Sequence, residues 1–235
     1  IAYHRDKLQR GFDTVVDIFG ADHIATIPDV LAGVRALGFD TERVIVVIHQ
    51  MVTFVEGGEI VKFSKRSGKS FTLDELIDEV GADVVRFFFV MRAVGTHLEF
   101  DLGLAKEEGD KNPVFYLQYA HARICSILRK AEEKGLAPES TANISVLTHP
   151  AEIELIGLLS RMQTAVERAC ETVEPHTIAE FLRDVAASYH NFYHDCRILG
   201  VEPEIEAARL LLADVTRRAM RNGLLLLGVG TPERM

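Results

Sequence analysis

The sequence predicts an α/β segment followed by an all-α bundle of helices. Two short apolar runs, Val15 to Phe19 and Val44 to Ile48, have the pattern of strands, and the second reads as a strand buried on both faces. A helix from about Ile27 to Leu37 is expected between them, closed by Gly38. From Pro113 onward, apolar residues recur three and four apart, which indicates helices throughout the second half.

The rest of the α/β segment contains a hairpin and two helices. Residues 54–61 carry two central glycines, which is typical of a hairpin. Thr72 and Glu75 form a capping box that starts a helix running to about Val80, and a second helix is expected over residues 82–93. A polar junction follows at residues 105–112, so we place the domain boundary there, with domains 1–108 and 109–235.

The second domain is predicted to be a four-helix-type bundle. Its first helix runs from Pro113, at the first helical position, to about Lys134. Six residues of this helix form one packing stripe: Val114, Leu117, His121, Ile124, Leu128 and Ala131. A loop over 136–149, helices near 151–173, 177–199 and 204–223, and a tail over 228–235 complete the prediction.

The composition indicates a cytoplasmic protein with a well-packed core. The chain has 235 residues, 48% of them hydrophobic, and carries neither a membrane-span-length apolar run nor a signal-peptide pattern. Cys125, Cys170 and Cys196 are isolated from one another. They predict reduced core residues, so we expect no disulfide framework and no protein-bound metal site. Because the chain begins at Ile1 and not at Met, we expect a fragment.

A cationic loop follows the strand expected over residues 60–63. Lys62, Lys65 and Arg66 lie within five residues, around Ser64. A flexible cationic loop at the end of a strand suits the binding of a phosphate chain whose charge shifts during a reaction. The spacing alone is also compatible with a solvated basic hairpin end.

A second candidate site follows the first strand. Gly20 would let a ligand approach the backbone closely, and Asp22 could accept hydrogen bonds from ribose hydroxyls. The following helix N-terminus favours anionic groups. An ordinary helix cap at Asp22 is the alternative.

Aromatic and basic residues alternate on two helices of the bundle. Tyr116, Tyr119 and Arg123 lie on neighbouring turns of the first helix, and the third helix repeats the pattern with Tyr189, Tyr193 and Arg197. Such residues stack with and charge-pair to unpaired bases. The net charge of −9 argues against indiscriminate nucleic-acid binding, so a polyanion would need this kind of local patch.

Two histidines four positions apart, His190 and His194, have a spacing that metal ligands can use. No acidic residue follows His190 directly and no third ligand is evident, so structural histidines are the favoured interpretation.

Together these residues resemble the arginyl-tRNA synthetases, a family of class I aminoacyl-tRNA synthetases. Residues 62–68, Lys-Phe-Ser-Lys-Arg-Ser-Gly, look like the family's KMSKS signature, and Gly20-Ala21-Asp22-His23 and residues 1–13 look like its catalytic domain. Residues 112–124 look like the start of its DALR-type anticodon-binding domain, and the ending Pro-Glu-Arg-Met at 232–235 is similar too. The resemblance covers essentially the whole chain.

The resemblance implies a fold and a reaction. The fold would be the C-terminal part of a class I nucleotide-binding catalytic domain, followed by an α-helical anticodon-binding bundle. The reaction would join arginine and ATP into arginyl-adenylate, with Mg²⁺ accompanying ATP, and then transfer arginine to tRNA-Arg.

The resemblance also implies roles for individual residues. Lys65 would stabilise the triphosphate in the transition state, assisted by Lys62, Ser64 and Arg66 of the same signature. In the ATP site, Gly20, Asp22 and His23 would face the ribose, and the backbone at Met51 and Val52 would flank adenine. Contacts to the anticodon would come from Tyr116, Tyr119, Arg123, Tyr193 and Met235.

The family's HIGH motif does not occur in this sequence. The resemblance therefore implies the C-terminal portion of the enzyme, inactive alone, with most of the L-arginine pocket upstream of Ile1. Two alternatives stay open. One is a non-catalytic tRNA-binding module, and the other is a different DALR-containing class I synthetase, such as the cysteinyl enzyme.

Overall fold

The computed structural model describes residues 1–61 and 72–235 of the chain. The predicted signature residues Lys62, Ser64, Lys65 and Arg66 lie outside these ranges, and so does the whole of the predicted cationic loop.

A two-stranded parallel sheet opens the α/β segment. Strands β1 (Val15–Gly20) and β2 (Val44–His49) pair from Val15↔Val44 to Gly20↔His49, which confirms both predicted strands. The predicted helix α2 (Ile27–Ala36) connects them and ends close to its expected C-terminus. The sequence patterns did not predict α1 (Ala2–Gln9).

The two faces of this sheet differ sharply. On one face, Leu8 of α1 and Val34 of α2 pack with Val15 and Val44 in a small apolar cluster. On the other face, Val16, Ile18 and Ile45 are 44%, 69% and 38% exposed. The prediction that β2 is buried on both faces was therefore wrong, because the helices cover only one side.

A three-stranded sheet follows, with the order β4-β3-β5. β3 (Val52–Glu56) and β4 (Glu59–Ile60) form the predicted hairpin, and positive φ angles at Gly57 and Gly58 make its turn. β5 (Leu98–Asp101) pairs parallel to β3 and was not predicted, because four alternating residues give little periodicity. A short helix, α5 (Leu102–Ala105), continues directly from it.

Helices α3 (Leu73–Val80) and α4 (Ala82–Val90) confirm the two predicted helices of this segment. The capping box is formed as expected, because the Thr72 hydroxyl accepts from the Glu75 amide and the Glu75 carboxylate accepts from the Thr72 amide. α4 ends three residues before the expected position.

The bundle contains α6 (Pro113–Glu132), α7 (Pro150–Leu159), α8 (Met162–Thr172), α9 (His176–Asp195) and α10 (Pro203–Leu226). The single helix predicted over 151–173 is in fact α7 and α8. The Ser160 hydroxyl donates to the Gly157 carbonyl at 2.8 Å where the helix breaks, and such local bonds compete with helical ones.

One hydrophobic core joins the bundle to the second sheet and to α3 and α4. Phe88 and Phe100 from the α/β segment belong to the same cluster as Leu117, Leu182 and Met220. The boundary between residues 108 and 109 stays a prediction. Among the cysteines, Cys125 and Cys196 are buried as expected, but Cys170 is exposed.

Within residues 1–61 and 72–235, no helix combines the length and the apolar character that crossing a membrane requires. In the same part of the chain, no three His, Cys, Asp or Glu side chains come together as a metal ion would require.

Candidate functional site

The first candidate region lies at the carboxyl ends of β1 and β2. Gly20 and His49 are the last paired residues of these two strands. Because the strands are parallel, Asp22 and His23 after β1 and Met51 after β2 lie at the same edge of the sheet. Ligands of open α/β sheets bind at this edge.

Gly20 is tightly constrained by the residue that follows it two positions later. A Cβ on Gly20 would lie 2.6 Å from Asp22 Oδ1, so a side chain there would displace the carboxylate. Asp22 lies in a short 3-10 helix, Ala21–Thr26, and is not the cap of α2, which begins at Ile27. The carboxylate thus faces solvent directly after the strand.

His23 and Met51 are both accessible at this edge. His23 Nε2 lies 3.9 Å from Asp22 Oδ2, and its ring centroid lies 6.0 Å from that of Phe19. Met51 is 63% exposed, and its carbonyl accepts from the Leu98 amide, while Val52 begins β3. The structure therefore places an acidic, an aromatic and an apolar group at one sheet edge.

The second candidate region lies between α6 and α9. The Arg123 guanidinium lies 4.7 Å from the ring centroid of Tyr119 on its own helix. It also lies 5.1 Å from the ring centroid of Tyr193 on α9. The cation–π contacts connect the two helices, and both tyrosines remain more than a third exposed.

His190 contributes a ring that sequence reasoning did not assign to this region. Its ring centroid lies 5.2 Å from that of Tyr116 and 6.5 Å from that of Tyr119. Burial and the nearby Arg123 cation lower the pKa of His190, so it is neutral at pH 7. His190 lies on α9 and Tyr116 on α6, and they are too far apart in sequence for local spacing to reveal this contact.

The predicted repeat on α9 is only partly present. Tyr189 is buried beneath the surface and stacks on Tyr193 with 6.2 Å between ring centroids, and burial raises the pKa of its hydroxyl. Arg197 lies beyond the end of α9, where its Nε donates to the Leu199 carbonyl at 2.9 Å. Tyr193 alone of these three presents an aromatic face as expected.

These side chains line a groove of about 980 Å³. Asp110 and Asp195 are its acidic groups, and the basic groups outnumber them. The aromatic and basic lining residues are Tyr116, Tyr119, His190, Tyr193, His194, Arg123, Lys130, Lys134 and Arg197. We call this the aromatic groove.

Met235 lies beside the aromatic groove. It lines an adjoining cavity of about 410 Å³ together with Tyr119, Arg123 and Tyr193. The structure therefore brings four of the five predicted anticodon-contact residues around one surface, and Tyr116 lines the groove next to it.

Comparison with known proteins relates the bundle and the whole chain to one family. Residues 117–235 match the model of the DALR anticodon binding domain. An arginine–tRNA ligase from Salinibacter ruber is 52% identical over 235 residues, and one from Carboxydothermus hydrogenoformans is 46% identical over 237 residues. All of this chain is covered in both comparisons, but the chain spans only 42% of the length of each relative.

Solved structures give the same result. A Thermus thermophilus arginyl-tRNA synthetase superposes with a TM-score of 0.77 at 26% identity, covering 95% of this chain and 41% of that one. A Plasmodium falciparum arginyl-tRNA synthetase shares the fold, with a TM-score of 0.72 at 19% identity, covering 100% of this chain and 43% of that one.

Proposed function

The chain belongs to the DALR anticodon-binding domain family, and on that premise we propose that it serves an arginine–tRNA ligase. The ligase would activate L-arginine with ATP and transfer it to tRNA-Arg in the cytoplasm, where translation uses the product. The observation that carries the proposal is Arg123, held between Tyr119 on α6 and Tyr193 on α9.

The aromatic groove supports the RNA half of this function. Bases of a single-stranded loop stack on aromatic faces, and such stacking tolerates the irregular path of an anticodon loop. Tyr119 and Tyr193 offer exposed faces, and Arg123 between them adds a planar cation. Lys130 on α6 and Lys134 just beyond its end also line the groove and provide charge for the phosphate backbone.

Met235 would extend this surface with an apolar, flexible side chain. It lines one cavity with Tyr119 and Tyr193, so its side chain lies beside the surface on which a base would stack. Tyr116 is deeper, and burial followed by the charge of Asp110 raises the pKa of its hydroxyl. We assign Tyr116 to the wall that supports His190 and Tyr119.

The carboxyl edge of β1 and β2 supports the nucleotide half. Asp22 would accept hydrogen bonds from the ribose hydroxyls of ATP, and Gly20 would admit the sugar close to the backbone. His23 would flank the ribose from the same turn. The backbone at Met51 and Val52 would flank the adenine ring.

In the proposed reaction an arginine carboxylate oxygen attacks the α-phosphorus of ATP. The bond from that phosphorus to the bridging oxygen breaks, and pyrophosphate leaves. Lys65, with Lys62, Ser64 and Arg66, is proposed from the signature pattern to stabilise the charge on the leaving group. Magnesium would enter with the triphosphate as part of the substrate. A terminal hydroxyl of tRNA-Arg then takes the arginyl group and releases AMP.

Filter binding tests the RNA half of the proposal. In filter binding, the 235-residue chain should retain a tRNA-Arg transcript in preference to a tRNA-Cys transcript, with affinity falling as salt rises. Equal retention of the two transcripts would remove the anticodon-reading function and the assignment to arginine.

A second candidate is a non-catalytic tRNA-binding module, which the groove by itself would equally support. Arginine-dependent exchange between ATP and pyrophosphate by the natural protein separates the two candidates. Exchange that is abolished by Lys65→Ala supports the ligase, and RNA binding without any exchange supports the module.

A further inference from the structure

The C-terminal tail lies along α6 and is held by side chains of that helix. His121 Nδ1 donates to the Pro232 carbonyl, with 2.9 Å between N and O. Arg129 donates to the Glu233 carbonyl at 3.0 Å. These contacts follow one another along the helix, so the tail runs in the direction of α6 and brings Met235 to Tyr119 and Tyr193.

The tail is also held by a residue that lies outside the bundle. Asp83, on α4 of the α/β segment, accepts with Oδ2 from the Gly230 amide at 3.1 Å and from Gln118 Nε2 at 2.8 Å. Gln118 Nε2 also donates to the Gly230 carbonyl at 3.1 Å. One carboxylate therefore joins α4, α6 and the tail. We call Asp83, Gln118 and Gly230 the tail clamp.

The tail clamp occurs where the chain leaves the core. Val229 is buried at 1% exposure, directly before Gly230, and the exposed residues Glu233 to Met235 follow. A Cβ on Gly230 would lie 2.8 Å from Asp83 Oδ2, so the close approach depends on glycine. The direction in which the tail emerges is consequently set at Asp83 and Gly230.

We propose that Asp83 is a positioning residue for RNA binding. It holds Gly230 and thereby fixes the tail so that Met235 forms one wall of the RNA-binding surface. The inference rests on the proposed function of the aromatic groove. Asp83 itself contacts no part of that groove, and it acts only through the tail.

The direct test is the affinity of the 235-residue chain for a tRNA-Arg transcript, measured by filter binding. Asp83→Ala should weaken binding about fivefold. This is the change in affinity that corresponds to the loss of roughly one hydrogen bond that holds the tail in place. Asp78→Ala on α3 is the matched control, because it removes the same charge without touching the tail clamp. Equal affinities of the two variants would overturn the proposal.

A second comparison separates positioning from general destabilisation. A chain that lacks residues 231–235 no longer has Met235 at the RNA-binding surface. In that chain Asp83→Ala should cause no further loss of RNA affinity. A further loss of the same fivefold size would show that Asp83 acts elsewhere. Gly230→Ala supplies an independent variant, and it should reproduce the loss in the intact chain even if Asp83→Ala folds poorly.

Hydrogen exchange keeps the clamp testable if the chain shows no preference for tRNA-Arg. Asp83→Ala should speed exchange of the Gly230 amide, which donates to the Asp83 carboxylate, at least tenfold while leaving the amides of α9 unchanged. Unchanged exchange at Gly230 would overturn the clamp itself. Faster exchange combined with unselective RNA binding would instead refute only the proposed function.

Discussion

Arg123 donates a hydrogen bond of 2.6 Å to the hydroxyl of Tyr119, one turn earlier on α6. The same guanidinium lies over the Tyr193 ring of α9. A planar cation is thus fixed at the junction of two helices without being buried. Its edge and both neighbouring rings stay available to a ligand, which is the physical basis for assigning RNA binding to this surface.

Replacing Tyr193 by alanine should weaken tRNA-Arg binding by about 1–3 kcal/mol, because an aromatic face for one base is lost. Filter binding measures the change. Tyr3→Ala is the control, since Tyr3 is an exposed tyrosine of α1 in the α/β segment. If the two variants bind alike, Tyr193 is not part of the interface.

Arg123→Lys should weaken binding by roughly 1 kcal/mol with an unchanged dependence on salt, because the charge remains but the planar stacking between two rings is lost. Arg123→Ala should in addition reduce the slope of log affinity against log salt by about 1. The affinity of each variant is measured over a range of salt concentrations.

The matched control is Arg5→Lys, on the exposed surface of α1. A lysine at 123 that preserves full affinity would show that Arg123 acts as a point charge alone.

Asp17 should make the stability of the chain depend on pH. Burial raises its pKa, but hydrogen bonds from Lys7 and from His4, the latter at 2.6 Å, lower it by more, so the pKa lies below its usual value. A depressed pKa gives stability that is present above the unfolded value of about 3.9 and is lost as pH falls through the folded value.

Asp17→Asn should therefore lower the free energy of unfolding by about 1–3 kcal/mol at pH 7. Urea unfolding of both chains should show the difference shrinking as the pH is lowered below about 4. Asp6→Asn on the surface of α1 is the control. A difference that is constant across this pH range would exclude the ionised Asp17 as its source.

Gly223→Ala should destabilise the bundle by about 1–3 kcal/mol, because the new Cβ would lie 2.6 Å from a methyl of Leu182 where α10 crosses α9. Gly157→Ala on α7 meets nothing within 4 Å and should stabilise by about 0.5–1 kcal/mol. Thermal unfolding distinguishes the two, and equal shifts would contradict the close helix crossing.

Regular local patterns were sufficient to predict much of the fold. The period of apolar residues located α2 and α6, and the Thr72–Glu75 capping box located the start of α3. The spacing of Tyr119 and Arg123 placed them on neighbouring turns of one helix, where the structure shows them in contact.

Contacts between distant segments could not be predicted in this way. Gly230 lies 112 positions from Gln118 and 147 from Asp83, and no local pattern connects them. The same reason hid His190, whose ring meets Tyr116 only after α6 and α9 pack. The pairing of β5 with β3 was not predicted for the same reason, because α3 and α4 lie between these two strands in the sequence.

The face of the first sheet that the helices do not cover is apolar and exposed to solvent. Val16, Ile18 and Ile45 form a contiguous apolar row that water must solvate. Two copies pressed together there would release that water, so self-association should grow with protein concentration. Because apolar attraction weakens on cooling, dimers of this kind should be fewer in the cold, which sedimentation at two temperatures would reveal. The isolated chain is then best kept dilute and chilled.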